Sequence, residues 1–211
     1  MKKLIIIGAG GHGRVVADCA QQQGTYSQIL FLDDCFFERK ENSEWQIIGS
    51  IKGFTQYIDE ADFVVAIGDN RLRKKILAQL KQAKANIVTL IHPTAAVSPH
   101  TFIGKGVVVF ANAVINIGAS IADGCIINTG ATVDHDCELH QCVHVSPGVN
   151  IAGSVHVAQL SWIGIGSTIV DSITLADNTQ VGAGAVVTQS TQANSLYVGV
   201  PAKRIRSITK I

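Results

Sequence analysis

Charge is scarce in this chain. Asp, Glu, Lys and Arg make up only 16% of its 211 residues and leave a formal net charge of +1. No global basic field exists to attract nucleic acid, so that class of partner is excluded. The five cysteines are odd in number and include no C-x-x-C pair, which argues against a disulfide scaffold and for a reducing cytoplasm. Long apolar runs are missing too. Met1-Lys2-Lys3 followed by Leu4-Ile5-Ile6-Ile7 resembles the start of a signal peptide, but Gly8 ends the run after four residues, as a buried strand would. No segment approaches bilayer-spanning length, so no membrane partner is expected and the location expected is cytoplasmic.

The abundance lies in a six-residue step. From Ile91 through Val97, Ile103 and Val109 to Val181 and Val187, seventeen positions in a row carry Ile, Val or Leu. Two residues before each lies a second column of small or β-branched side chains, among them Ala113, Cys125, Ala131, Cys137, Val149, Ser161 and Ala185. Residues i−2 and i share one side of a strand, so both columns face inward, and so short a repeat must turn before its next pair. Chains of this kind wind as parallel β-helices. The period fails after Val187, and the tail through Tyr197–Ile205 is expected to fold back as a cap.

Before Ile91 the texture is different. Leu4–Ile7 reads as a parallel strand covered on both faces. A helix is expected from about Arg14 to Gln23, then a strand at Ile29–Leu32, a loop over Cys35–Trp45 and a strand at Phe63–Ile67. A second helix should run from about Arg71 to Lys81, capped by Asp69 or Asn70. Strand, glycine turn, helix and strand form a βαβ unit. The expected fold is a small α/β Rossmann-like domain over residues 1–85, followed by an all-β parallel β-helix with a C-terminal cap over 86–211.

Two places carry chemistry. Gly8, Gly10 and Gly13 match G-x-G-x-x-G between a strand and a helix, with Asp33 twenty residues on. Glycines let the backbone approach a phosphate, whose charge sits on the free N–H groups and positive end of the helix. Only half of a two-nucleotide sheet precedes the repeats, so a nucleotide-sugar fits better than NAD. A tight turn without a ligand is the plainer alternative, and His12 either donates to a phosphate or packs. In the solenoid, His135 lies between Asp134 and Asp136, an acidic setting that raises an imidazole's basicity. Eighteen residues later stands Gly153, one coil on if three six-residue steps make a coil, as the repeat's resemblance to the hexapeptide-repeat left-handed β-helix family implies; its missing side chain leaves a notch with an exposed N–H. A neutral imidazole beside such a notch can take a proton from an amine or hydroxyl while that N–H faces a thioester oxygen.

The repeat resembles the hexapeptide-repeat, left-handed β-helix family, most of whose members are acetyl-CoA-dependent acyltransferases. Across nearly the whole chain, the residues resemble the sugar O-/N-acetyltransferases, a group containing the sialic acid O-acetyltransferases and the bacillosamine and perosamine N-acetyltransferases. The segments that carry this are Gly8–Gly13, Phe31–Asp34, Ala66–Asn70, Asn128–Cys137, Val143–Gly148, Ala152-Gly153 and Gly199–Lys203. The resemblance implies that His135 is the general base and that Asp136, a Glu in the bacillosamine enzymes, increases its basicity. It implies that His144 and the backbones of Gly153, Ile165 and Ala183 line an acetyl-CoA channel. It further implies that Gly10, Gly11, His12, Asp33, Asp34 and Gly68 hold a nucleotide-sugar. Channels in this family lie between subunits, so a homotrimer is implied.

The activity expected on this basis moves acetyl from acetyl-CoA to the 4-amino group of a nucleotide-linked 4-amino-4,6-dideoxy sugar. The sugar is expected to be a UDP-sugar, in bacterial surface-glycan or glycoprotein synthesis. An O-acetyltransferase acting on sialic acid would share most of these features. A third reading is a zinc lyase like the γ-carbonic anhydrases, which pair histidines five apart, as His135 and His140 are. His100, however, is thirty-five residues before His135, one short of two coils, so no catalytic metal is expected. A nucleotide-sugar sensor with an idle His135 is the last alternative.

Overall fold

Leu4–Ile7 carries no polar side chain and lies fully buried, as the centre of a two-sided parallel sheet requires. In the computed structural model, which describes residues 2–208, it belongs to strand β1 (Lys3–Ile7). Helix α1 (Gly11–Gln23) follows and ends on Gly24, whose left-handed backbone makes the stop. Next come β2 (Gln28–Leu32), the hairpin pair β3 (Glu41–Asn42) and β4 (Trp45–Gly49), β5 (Ala61–Val65), α2 (Asn70–Gln82) and β6 (Asn86–Ile87). The sheet order is β3-β4-β2-β1-β5-β6. The chain leaves β1 for β2 on one side and returns to β5 on the other, both parallel. This places a topological switch point at the carboxyl end of β1, where open α/β sheets bind ligands.

Three expectations differ from this unit. The stretch expected as a loop over 35–45 contains a 3-10 turn, Asp34–Phe37, and the β3–β4 hairpin. Helix α1 starts at Gly11, three residues before Arg14, because Gly10 serves as its N-cap. The first compact unit also runs to Pro93, and the second begins at Thr94. The division falls beyond residue 85 because β6 still pairs with β5.

The second unit is the parallel β-helix. Two-residue strands recur every six residues and pair with the strand eighteen residues on, as in Val114↔Thr132↔Asn150↔Thr168↔Val186. Three faces result, with the strands at Thr132–Val133, Glu138–Leu139 and His144–Val145 each belonging to a different sheet. From Val109 through Val187 the periodic column is buried at every step, and each such aliphatic side chain contributes about 1.5–3 kcal/mol. The inner polar members are satisfied by turn carbonyls: Ser161 Oγ donates to Ala176 O at 3.2 Å and Ser167 Oγ to Gly182 O at 2.9 Å. Left-handed backbone also recurs every six residues, at Gly106, Asn112, Gly118, Gly124, Gly130, Asp136, Cys142, Gly148 and on to Gly184. The tail leaves the period as expected: Ser195–Val198 pairs with Gln180–Val181 and folds back antiparallel on Lys203–Ser207.

Candidate active site

His135 occupies the turn between the strands Thr132–Val133 and Glu138–Leu139, and the next residue must take the left-handed position of the coil. Asp136 does so at φ 56°, a conformation that Asp tolerates better than most side chains. The result is a pair of neighbours facing one another: His135 Nδ1 lies 2.9 Å from Asp136 Oδ2. Asp134 Oδ1 accepts the His135 backbone N–H at 2.7 Å and the Asn116 side-chain amide at 2.7 Å. With Nδ1 bonded to a carboxylate it carries the proton, so Nε2 presents the lone pair. Hydrogen bonding to Asp136, reinforced by the charge of Asp134, raises the His135 pKa above its ordinary 6.5. The Asn116 amide and the His135 N–H hold Asp134 below the usual carboxylate range.

Glycines on the neighbouring coils make room for this pair. A Cβ at Gly153 would stand 2.5 Å from His135 Nε2, and one at Gly118 would stand 2.3 Å from Asp136 Oδ1. The imidazole therefore leans over the coil that follows and the carboxylate over the coil that precedes.

His144 lies on a different sheet. It is buried, stacks on the Trp162 indole at 5.5 Å between ring centres, and Trp162 Nε1 donates to Ser146 Oγ at 2.8 Å. These three residues border a groove of about 480 Å³ that also takes in Asn128, Pro147, Ile165 and Ala183. The groove crosses successive coils, since Gly166 N donates to Pro147 O and Gly184 N to Ile165 O, each joining one coil to the next. Gly164 keeps its wall thin, because a Cβ there would meet Val181 O at 2.5 Å. An extended, largely apolar ligand such as the pantetheine arm of acetyl-CoA suits this shape. His144, Ile165 and Ala183 thus come together, whereas Gly153 stands with His135 on another turn, and His135 is not among the groove's walls.

In the first unit, the six expected substrate residues all lie at the carboxyl edge of three adjacent strands: Gly10, Gly11 and His12 after β1, Asp33 and Asp34 after β2, Gly68 after β5. The glycines divide by role. Gly8 (φ +107°) and Gly13 are structural, since a Cβ would meet Ala66 O at 2.8 Å and Gly8 O at 2.2 Å respectively. At Gly10, Gly11 and Gly68 a Cβ would meet nothing within 4 Å, which leaves their backbone open to a ligand. Asp33 is engaged by the protein: its carboxylate accepts Ala9 N–H at 2.6 Å and Cys35 N–H at 2.8 Å. Burial opposes its ionisation, but bonding from Cys35 and Ala9, with Arg39 nearby, outweighs that and lowers its pKa. Asp34 is exposed and accepts Ile51 N–H at 3.1 Å. Burial, then the nearby Arg73 cation, push His12 down to about 4, so it is neutral at pH 7 and brings no positive charge to a phosphate.

Sequence reasoning missed several supports. Asn42 Nδ2 donates to Ala9 O at 2.7 Å and Gly10 O at 3.1 Å from the segment expected as a loop. Buried Arg73 donates to Ile67 O at 2.8 Å and Gly68 O at 3.1 Å. Asn116 and Gly118 lie one coil before Asp134 and Asp136, so the eighteen-residue register carried the signal that would have found them. Within the chain, among the described residues, His140 groups with Glu138 and His156.

Comparison with known proteins gives the family. The PglD N-terminal domain model matches residues 3–80. The acetyltransferase domain of PglB from Neisseria gonorrhoeae FA1090, solved with acetyl coenzyme A, is 40% identical with a TM-score of 0.93, over 97% of this chain and 99% of that one. PerB from Caulobacter crescentus, solved with CoA and GDP-perosamine, is 35% identical with a TM-score of 0.90, over 98% of each chain. UDP-N-acetylbacillosamine N-acetyltransferase of Bacillus subtilis (strain 168) is 36% identical over 114 residues, 53% of this chain and 52% of that enzyme, so the match spans about half of each. A small parallel α/β unit followed by a left-handed β-helix is the architecture these acetyltransferases share. Within that class the chain belongs to the acetyl-CoA-dependent sugar N-acetyltransferases of the PglD type.

Proposed function

We propose that this protein transfers acetyl from acetyl-CoA to the 4-amino group of a nucleotide-linked 4-amino-4,6-dideoxy sugar, a UDP-sugar in preference to a GDP-sugar. The observation that carries the reading is the His135–Asp136 pair, with Nδ1 held by the carboxylate and Nε2 aimed across Gly153. Acetyl-CoA supplies the acetyl group as a thioester. As the sugar nitrogen forms its bond to the acetyl carbon, His135 Nε2 accepts the nitrogen's proton; the C–S bond breaks and the proton then passes to the departing thiolate. Asp136 fixes the tautomer and favours the imidazolium, and the Gly153 N–H serves the developing oxyanion. His144, Ile165 and Ala183 seat the cofactor along the groove. The open backbone at Gly10 and Gly11 seats the diphosphate, with Gly68 and Asp34 beside it and Asp33 and His12 shaping the loop.

The groove and His135 occupy separate parts of one β-helix, which supports assembly as a homotrimer in which one copy's cofactor meets another copy's base. No described helix is long and apolar enough to cross a membrane, and the five cysteines are free. Both suit an enzyme of the cytoplasm that prepares sugars for a surface glycan or glycoprotein.

CoA release measured with UDP- and GDP-linked 4-amino-4,6-dideoxy sugars and with sialic acid tests the proposal. The expected order of kcat/KM is UDP-amino sugar, then GDP-amino sugar, with no turnover of sialic acid. Preferred turnover of sialic acid would assign an O-acetyltransferase, and nucleotide-sugar binding without CoA release from any acceptor would assign a sensor.

A further inference from the structure

A second constellation lies on the sheet that runs through Glu138–Leu139 and His156–Val157. Glu138 and His156 are register partners on adjacent coils, and His140 follows directly after Leu139. One ligand-type atom from each of the three lies within 4.8 Å of the other two. His156 Nδ1 is 3.2 Å from Glu138 Oε2, and His140 Nε2 is 4.0 Å from the same oxygen. Two imidazoles and one carboxylate around a tetrahedral zinc-sized ion sit about 3.3–3.5 Å apart, given metal–ligand bonds of about 2.0–2.1 Å. The His156–Glu138 edge is close to this length, and the two edges that involve His140, at 4.0 Å to Glu138 and within 4.8 Å to His156, shorten on a turn of the His140 side chain.

The backbones beneath are fixed. Glu138 N–H donates to Val155 O, His140 N–H to Val157 O and His156 N–H to Ile173 O, at 2.9 to 3.0 Å. Cys125 Sγ anchors the His140 carbonyl from inside at 3.1 Å. Only side-chain torsions remain to be set, so the cost of ordering ligands is small. All three side chains are partly exposed, at 62%, 52% and 37%. Glu138 and His140 border a hollow of about 360 Å³ alongside Ser120 and Gln159, with room for water on the ion.

We infer that Glu138, His140 and His156 form a binding site for a divalent transition-metal ion of the zinc, nickel or cobalt type, with the fourth position open to water. The donor set selects against magnesium and calcium, which take oxygen ligands. It uses neither His135 nor any wall of the cofactor groove, so it stands independently of acetyl transfer.

The test is titration of the untagged, EDTA-treated full chain with Zn²⁺ by calorimetry and with Co²⁺ by visible absorption. About one ion per chain should bind, with tetrahedral-type cobalt bands. His140→Ala, His156→Ala and Glu138→Gln should each weaken binding roughly tenfold or more, and His100→Ala should leave it unchanged. Circular dichroism and acetyl-transfer rates of the ligand variants, both expected at wild-type level, report that the coil is intact. Absence of saturable binding, or equal affinity in wild type and both histidine variants, overturns the site and reduces the cluster to a surface hydrogen bond.

Discussion

At residue 135 an imidazole and a carboxylate that follow one another in sequence face one another in space, because the coil forces residue 136 into left-handed backbone. Asp136→Asn is therefore the informative replacement, since Asn tolerates that backbone. His135 must be neutral to act as a base, so kcat/KM falls as pH drops through its pKa. Bonding to Asp136 is the leading cause of the raised value, with the charge of Asp134 behind it. Asp136→Asn should move the acidic limb of the pH–rate profile to lower pH while lowering the plateau. A limb that stays in place would separate Asp136 from the titration. Gly153→Ala is the complementary test. Its new Cβ falls 2.5 Å from His135 Nε2, and the group that yields is an exposed side chain rather than backbone. Turnover should drop by roughly 10²-fold through displacement of the imidazole, with the melting temperature almost unchanged. Turnover near the wild-type rate would show that the ring does not work from over Gly153.

Among the elements, the glycine turn after β1 combines two roles within six residues. Gly13→Ala places a Cβ 2.2 Å from Gly8 O, and backbone cannot give way cheaply, so a loss of about 1–3 kcal/mol in stability is expected. Gly10→Val or Gly11→Leu adds a side chain where nothing stands within 4 Å. Those variants should melt like wild type and lose UDP binding by calorimetry, whereas retained binding would place the diphosphate elsewhere. The turn, the helix after it and the six-residue column were legible in the sequence because each rests on local rules: glycine next to a strand, and side chains alternating with a strict period. The β3–β4 hairpin was not, since Glu41-Asn42 and Trp45–Gly49 are too short and mixed in polarity to show a period. Its Asn42 contact with Ala9 and Gly10 was lost with it. Asn116 and Gly118 were hidden for another reason: they matter only through the coil below, a relation visible once residues are read eighteen apart. His135 could be singled out from its acidic neighbours, but its distance from the groove of His144 could not, because that depends on which turn each six-residue step occupies.

For the whole molecule, the groove leaves Trp162 and Ile165 at 46% and 56% exposure, open apolar surface that a neighbouring copy would cover. Sedimentation equilibrium should give three times the chain mass, and Ile165→Asp should weaken both trimer and acetyl-CoA binding. A monomer that binds acetyl-CoA with undiminished affinity would show that the groove is complete in one chain. The central claim remains that His135 takes the proton from the sugar amine. It is tested most directly by the steady-state kinetics of His135→Ala, folded and with the wild-type sedimentation behaviour, with acetyl-CoA and a UDP-linked 4-amino-4,6-dideoxy sugar. A fall in kcat of roughly 10² to 10⁴-fold with little change in the KM for acetyl-CoA is the predicted result, and turnover close to wild type would contradict it.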